Sequence, residues 1–336
     1  LRANNFNLAR MLLASAVLLS HSYALSGFPE PAAFSSTLGA FAVQCFFVIS
    51  GYLICGSASA SDSVARYTWK RALRILPALV FAYIFTRYVH GYFDRFSGNP
   101  IPWMPNGSIW TLPWEGVCYA ITGLAAVLLL LTPATINPVY ALSAVMVLID
   151  VSGALGSNTV VPNLFFLFLA GAFIKLNEKS LSLARIALFG AAVIVALQVP
   201  PFSGVSRSVL GIIPFALGPD LTFQHVSYFL YLLLLPFPVV YLCAQAPALP
   251  FFRGDYSYGA YIYAWPVQQS VVAYCLSYGY KIGPIELFCS SFALTMGFAM
   301  VSWHFIERPA LSLKNWKIPK IGSRQDKALV PSAVTE

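Results

Sequence analysis

Long apolar runs recur from one end of this chain to the other, separated by short polar stretches. A helix needs about 20 apolar residues to cross a bilayer. In hydrocarbon each backbone N–H and C=O must be satisfied within the protein, so such a run has to be helical. Ten candidate spans follow: 8–25, 36–56, 75–92, 110–131, 138–155, 161–177, 183–199, 226–245, 257–278 and 284–305. The chain is therefore expected to be all-α, a polytopic integral membrane bundle of about ten transmembrane helices in the lipid bilayer. Residues 206–222 are apolar but broken by Pro214, Gly218 and Pro219, and read as an interfacial or re-entrant piece. The first run has Arg2 and Arg10 ahead of its apolar core, as a signal peptide would. His21 interrupts it and further spans follow, so it is expected to remain as the first span.

Charge is scarce and its placement is informative. Only 10% of the 336 residues are charged, against roughly 25% in a soluble domain. The longest polar stretch is the tail, too short for a soluble domain of its own. Residues 1–312 read as one membrane domain, and 313–336 as a basic, disordered cytoplasmic tail. With the N-terminus inside, Arg66, Lys70, Arg71, Arg74, Lys175, Lys179, Arg185, Arg253 and the basic tail share one side. Only Arg87, Arg95, Arg207 and Lys281 fall on the other. This bias places both termini in the cytoplasm and explains the net charge of +8 without nucleic acid. The six cysteines show no metal spacing and read as small buried hydrophobes, so no metal is expected.

Ionisable residues inside apolar runs are costly, and their default reading is functional. Arg10 and His21 are eleven residues apart, close to three turns and about 16 Å along a helix, so both point to one side. His21 lies near the outer end of the first span and Glu115 about a turn into the fourth, so their depths are expected to match. A carboxylate can hold one imidazole nitrogen and leave the other to take a proton from a hydroxyl, an arrangement suited to acyl transfer to a sugar alcohol. Glu115 could equally cap the first turn of its span. Arg71 and Arg74, at i,i+3, face the same way. Paired guanidiniums suit phosphate oxygens, although a positive-inside anchor has the same form. Ser50-Gly51 would allow close helix approach, and buried Gln268 and Gln269 need partners across helices.

These motifs together resemble a known family. Arg10-x10-His21, Phe46-Phe47-Val48-Ile49-Ser50-Gly51-Tyr52, Arg71-x-x-Arg74, Trp110-Thr-Leu-x-x-Glu115, Ser257-Tyr258-Gly259-x-Tyr261 and the ending Glu307-Arg308-Pro309 look like the acyltransferase family 3 membrane enzymes. That family includes bacterial O-acetyltransferases of lipopolysaccharide O-antigen, exopolysaccharide and related glycans. The likeness runs from about residue 4 to 312. It implies a bacterial inner-membrane enzyme with acetyl-CoA as the cytoplasmic donor and a glycan hydroxyl as acceptor. His21 would be the catalytic base or acyl relay, with Glu115 as its partner. Arg10, Arg71 and Arg74 would serve the CoA phosphates, and Trp110, Tyr258 and Gln268 are candidates for contacting substrate. The phosphates would stay inside while the acyl end threads toward the outer half. Some relatives carry an appended soluble domain that completes transfer. This chain shows none, so it would act alone or hand the acyl group to a separate soluble acyl-accepting protein. Two other readings compete. One is a transporter of an acyl donor or glycan precursor, weakened by the lack of an inverted repeat. The other is a non-catalytic subunit of a glycan export complex.

Overall fold

The structure, a computed structural model, describes residues 4–93, 98–151, 160–198, 223–249 and 254–315. The segment 206–222, the tail beyond 315, and Arg95, Arg207 and Arg253 lie outside the described residues. Helix α1 spans Phe6–Leu25 and is joined to α2 (Leu38–Ser59) through a small antiparallel hairpin, β1 (Ala32–Ala33) and β2 (Ser36–Thr37). Thr37 starts α2 by accepting the Ala40 N–H at 3.2 Å, and Ser63 starts α3 (Val64–Tyr92) by accepting from Arg66. Both side chains satisfy a backbone donor that a helix start leaves open. A 3-10 turn at Ile109–Thr111 leads into α4 (Leu112–Val127), followed by α5 (Pro133–Val151), α6 (Val160–Leu176) and α7 (Leu183–Gln198). Then come α8 (Phe223–Leu234), α9 (Pro236–Ala244), α10 (Ser257–Ser277) and α11 (Pro284–Ser302). A π-helical turn at Trp303–Glu307 and the short α12 (Arg308–Ser312) close the described chain.

The molecule is a polytopic helical membrane protein. Helices stand at all ten expected positions, with α8 and α9 sharing one across the break at Pro236. Six segments are long and apolar enough to cross alone: Phe6–Leu25, Leu38–Ser59, Val64–Tyr92, Pro133–Val151, Gln224–Ala244 and Pro284–Ser312. Helices α6 and α7 are apolar but shorter. Leu76, Val80, Phe81, Ile84 and Tyr88 of α3 are exposed while Ala78 and Ala82 are buried. Large side chains facing outward from such a row are what lipid, not water, would solvate.

At the centre α2 crosses α6 at very short range. A Cβ on Gly51 would lie 1.9 Å from the Phe168 carbonyl oxygen, and one on Gly171 2.2 Å from that of Val48. Small residues let the two backbones touch, which is how apolar helices gain packing where lipid offers no hydrophobic drive.

The stretch before α4 departs from expectation. Instead of starting at the outer surface, the chain from residue 98 to 111 runs down the side of α10. Gln269 donates to the Ile101 carbonyl at 2.9 Å, Trp265 to that of Met104 at 2.8 Å, and Asn106 to that of Ile262 at 3.0 Å. Thr111 then meets the Tyr261 hydroxyl at 3.0 Å. A Cβ on Gly107 would sit 2.8 Å from the Trp265 ring, so a glycine is needed for the chain to pass. These bonds satisfy irregular backbone inside the protein, the condition for such backbone at membrane depth. Consequently α4 begins within the bundle and has only 16 residues.

Candidate active site

A cavity of about 430 Å³ opens among α1, α2, α3, α4 and α10. One stripe of α2 lines it from Ile54 through Ser50 and Phe47 to Phe46 and Val43, at the three- and four-residue spacing of a single helix face. Its mouth is basic: Lys70, Arg71 and Arg74 from α3, Arg10 from α1, and Lys314 just after α12. The third helix starts at Val64, so Arg71 and Arg74 belong to its body rather than to a loop ahead of a span at 75.

Asp255 organises the mouth. Its Oδ2 accepts from Arg74 at 2.5 Å and from Arg10 at 3.2 Å, and its Oδ1 from Ser257 at 2.5 Å. Burial works to raise the Asp255 carboxyl, but Arg74, Arg10 and Ser257 outweigh it and hold the group below its ordinary value. Arg74 also lies 3.7 Å from Glu307, and its guanidinium sits 5.8 Å from the Tyr258 ring centroid. Arg71 is different. Its Nη2 reaches Ser57 Oγ at 3.4 Å, and its Nε is buried with no partner.

Deeper in the cavity, Glu115 accepts from Ser50 at 2.8 Å and from the Tyr119 hydroxyl on the same oxygen. The two hydroxyls are 3.2 Å apart. Glu115 is thus held by α2 and its own helix, not by His21. Register shows how far apart the two are. The Gly39 N–H donates to Ser20 Oγ at 2.9 Å, which sets the start of α2 level with the residue before His21. Ser50 is eleven residues further along α2, about 16 Å down the bundle. The matched depth expected from sequence fails because the 98–111 segment carries the start of α4 inward.

His21 is half-buried outside this cavity. Its ring meets Trp265 edge-on, centroids 4.7 Å apart, and its Nδ1 is buried without a partner. Gln268 does bond across helices, donating to the Leu18 carbonyl at 2.8 Å and to Ser22 Oγ at 2.7 Å, so it joins α10 to α1 rather than lining the cavity. Trp110 is exposed and does not line it. The structure therefore gathers Arg10, Arg71, Arg74, Glu115 and Tyr258 around one space and leaves His21, Trp110 and Gln268 outside it. Sequence reasoning gives Ser50 only a packing role and gives Tyr119 and Asp255 no part in the site. Asp255 had a usable signal, a lone carboxylate at the entry to an apolar run. Among the described residues, no three or more His, Cys, Asp or Glu side chains converge as a metal site would require.

Fold and site together define a multi-pass helical membrane protein with a charged cavity sunk into its bundle. Comparison with known proteins is more specific. The family model for the acyltransferase domain of acyltransferase family 3 matches residues 4–304. An O-acetyl transferase of Shigella phage Sf6 is 32% identical over 357 aligned residues, covering 94% of this chain and 98% of the relative. Nodulation protein 10 of Rhizobium leguminosarum bv. viciae is 39% identical over 80 residues, 23% of this chain. No solved structure matches. The chain belongs to acyltransferase family 3, and it is a membrane-embedded acyltransferase.

Proposed function

We propose that this enzyme transfers an acetyl group from acetyl-CoA to a hydroxyl of a surface glycan at the bacterial inner membrane, with the cavity mouth facing the cytoplasm. The observation that carries this is the cavity's gradient, cationic at the mouth and apolar beyond Ser50. A CoA thioester has the same gradient, phosphates at one end and an acyl group at the other. Arg10 and Arg74 are already engaged by Asp255. Arg71, with Lys70 and Lys314 lining the same cavity, is left to meet phosphate oxygens.

The cavity also suits delivery toward His21. Its α2 wall extends eleven residues from Ile54 to Val43, about 16 Å along the helix axis. Val43 is four residues from Gly39, so the apolar end comes within about 6 Å of the level of Ser20 and His21. A donor anchored at the mouth would then present its thioester to the outer half. There His21, as base or acyl relay, would take the proton of the acceptor hydroxyl through a ring nitrogen. The hydroxyl oxygen bonds to the acyl carbon, the C–S bond breaks, and the protonated imidazole returns its proton to the sulfur, so CoA leaves as the thiol. In this reading Glu115 serves the donor channel together with Ser50 and Tyr119. The name of the phage relative favours acetyl as the group moved.

The test is analysis of surface glycans, by mass spectrometry and NMR, from cells with the intact gene, a deletion, and His21→Ala at equal protein level. Loss of one O-acyl signal in both altered strains supports the reading and identifies the acceptor. Glycans unchanged in all three would reject it.

A further inference from the structure

The end of the cavity away from the arginines is built unlike its basic mouth. Val43 and Phe46 of α2, Leu112 of α4 and Tyr261 of α10 surround it, and Thr111 contributes a hydroxyl that is already used. Phe46 and Tyr261 meet edge to face, ring centroids 5.7 Å apart. The Tyr261 hydroxyl is fixed to Thr111 at 3.0 Å, so that ring cannot swing aside without losing a bond between two buried groups. Val43 and Tyr261 are each 9% exposed. Side chains from four elements (α2, the turn before α4, α4 itself and α10) therefore line this end.

We propose that Val43, Phe46 and Tyr261 form the acyl pocket of this enzyme and restrict the transferred group to about the size of acetyl. The proposal rests on the reading above, that the donor is an acyl thioester with its phosphates at the basic mouth. Given that orientation, only the acyl end reaches the apolar wall. A short acyl group fits against Val43 and the two rings, whereas a longer one must displace Phe46, the half-buried member of the pair. The tyrosine–threonine bond keeps the other half of the wall rigid, so the limit is steric. An apolar wall also keeps water from the thioester before the acceptor arrives.

Membranes of the producing cells, carrying their own glycan, would be supplied with acetyl-, propionyl- or butyryl-CoA. Released CoA and acyl esters on the glycan would be measured together. One or two added methylenes in a fitted apolar pocket are worth about tenfold or more in selectivity. The wild type should prefer acetyl over butyryl by at least that factor, and Phe46→Ala should raise the butyryl-to-acetyl ratio about tenfold. Val43→Ala, a smaller change, should raise the propionyl ratio in the same direction and decides the matter if Phe46→Ala does not reach the membrane. Ratios unchanged in a variant that still transfers acetyl would overturn the acyl pocket while leaving the donor reading intact. A wild type that consumes none of the three thioesters would remove the donor reading and this proposal with it.

Discussion

Asp255 accepts from both Arg10 and Arg74, which leaves Arg71 without a carboxylate among the described residues. A guanidinium with a buried, unpartnered Nε is positioned for an anion that arrives from outside. Arg71→Ala is expected to raise KM for acetyl-CoA about tenfold or more, the loss of one charge-assisted contact of roughly 1.5–3 kcal/mol, with kcat little changed. Arg71→Lys should recover only part of this, because a lysine cannot make the forked contact. Initial rates against acetyl-CoA concentration separate the two parameters. For His21→Ala the expected outcome is the opposite split: donor affinity kept, transfer to the glycan abolished. Wild-type transfer rates from that variant would end the catalytic assignment. The sequence exposed these residues because a charge in an apolar run stands out. It did not show which arginine was free, since that depends on where a carboxylate some 180 residues away is placed.

Between elements, the α2–α6 crossing and the descending 98–111 segment place the site. Gly51 and Gly171 touch backbone across that crossing, so Gly51→Ala and Gly171→Ala should each destabilise the bundle, by about 1–3 kcal/mol as for other overpacked sites. Gly297→Ala has open space around it and should be neutral. Thermal unfolding in one detergent would compare the three, and equal behaviour of Gly51→Ala and Gly297→Ala would contradict the close crossing. Hydropathy located the long helices among the described residues because burial in lipid needs only apolar length, but it missed the polar start of α3 and the short α12. It misjudged 98–111 because that segment's polar groups are satisfied by α10, a partner that no local window contains.

Across the whole molecule, the Asp255 cluster ties α1, α3 and α10 together, and Arg74 extends it toward Glu307 beyond α11. The N–H of the Trp69 ring also donates to the Leu313 carbonyl at 3.0 Å, which fastens the last described residues to the start of α3. Because the Asp255 carboxyl is held below its ordinary value, its contribution is complete above the unfolded-state value of about 4 and fades as pH falls through the lower folded-state value. Asp255→Asn should remove roughly 3 kcal/mol at neutral pH by leaving Arg10 without a carboxylate and Arg74 with only its longer contact to Glu307. It should also flatten the acid side of the stability curve, measured as unfolding temperature against pH. An unchanged acid limb would show that other carboxylates set it. From the sequence alone came the bilayer as solvent, the helical segments, and the ionisable residues worth attention, all of which follow from the cost of polar groups in hydrocarbon. Tertiary structure alone decided that Glu115 faces Ser50 and Tyr119 inside the cavity, about 16 Å below the level of His21. Depth within a bundle is set by how neighbouring helices are shifted against one another, and packing and hydrogen bonds between distant segments determine that shift.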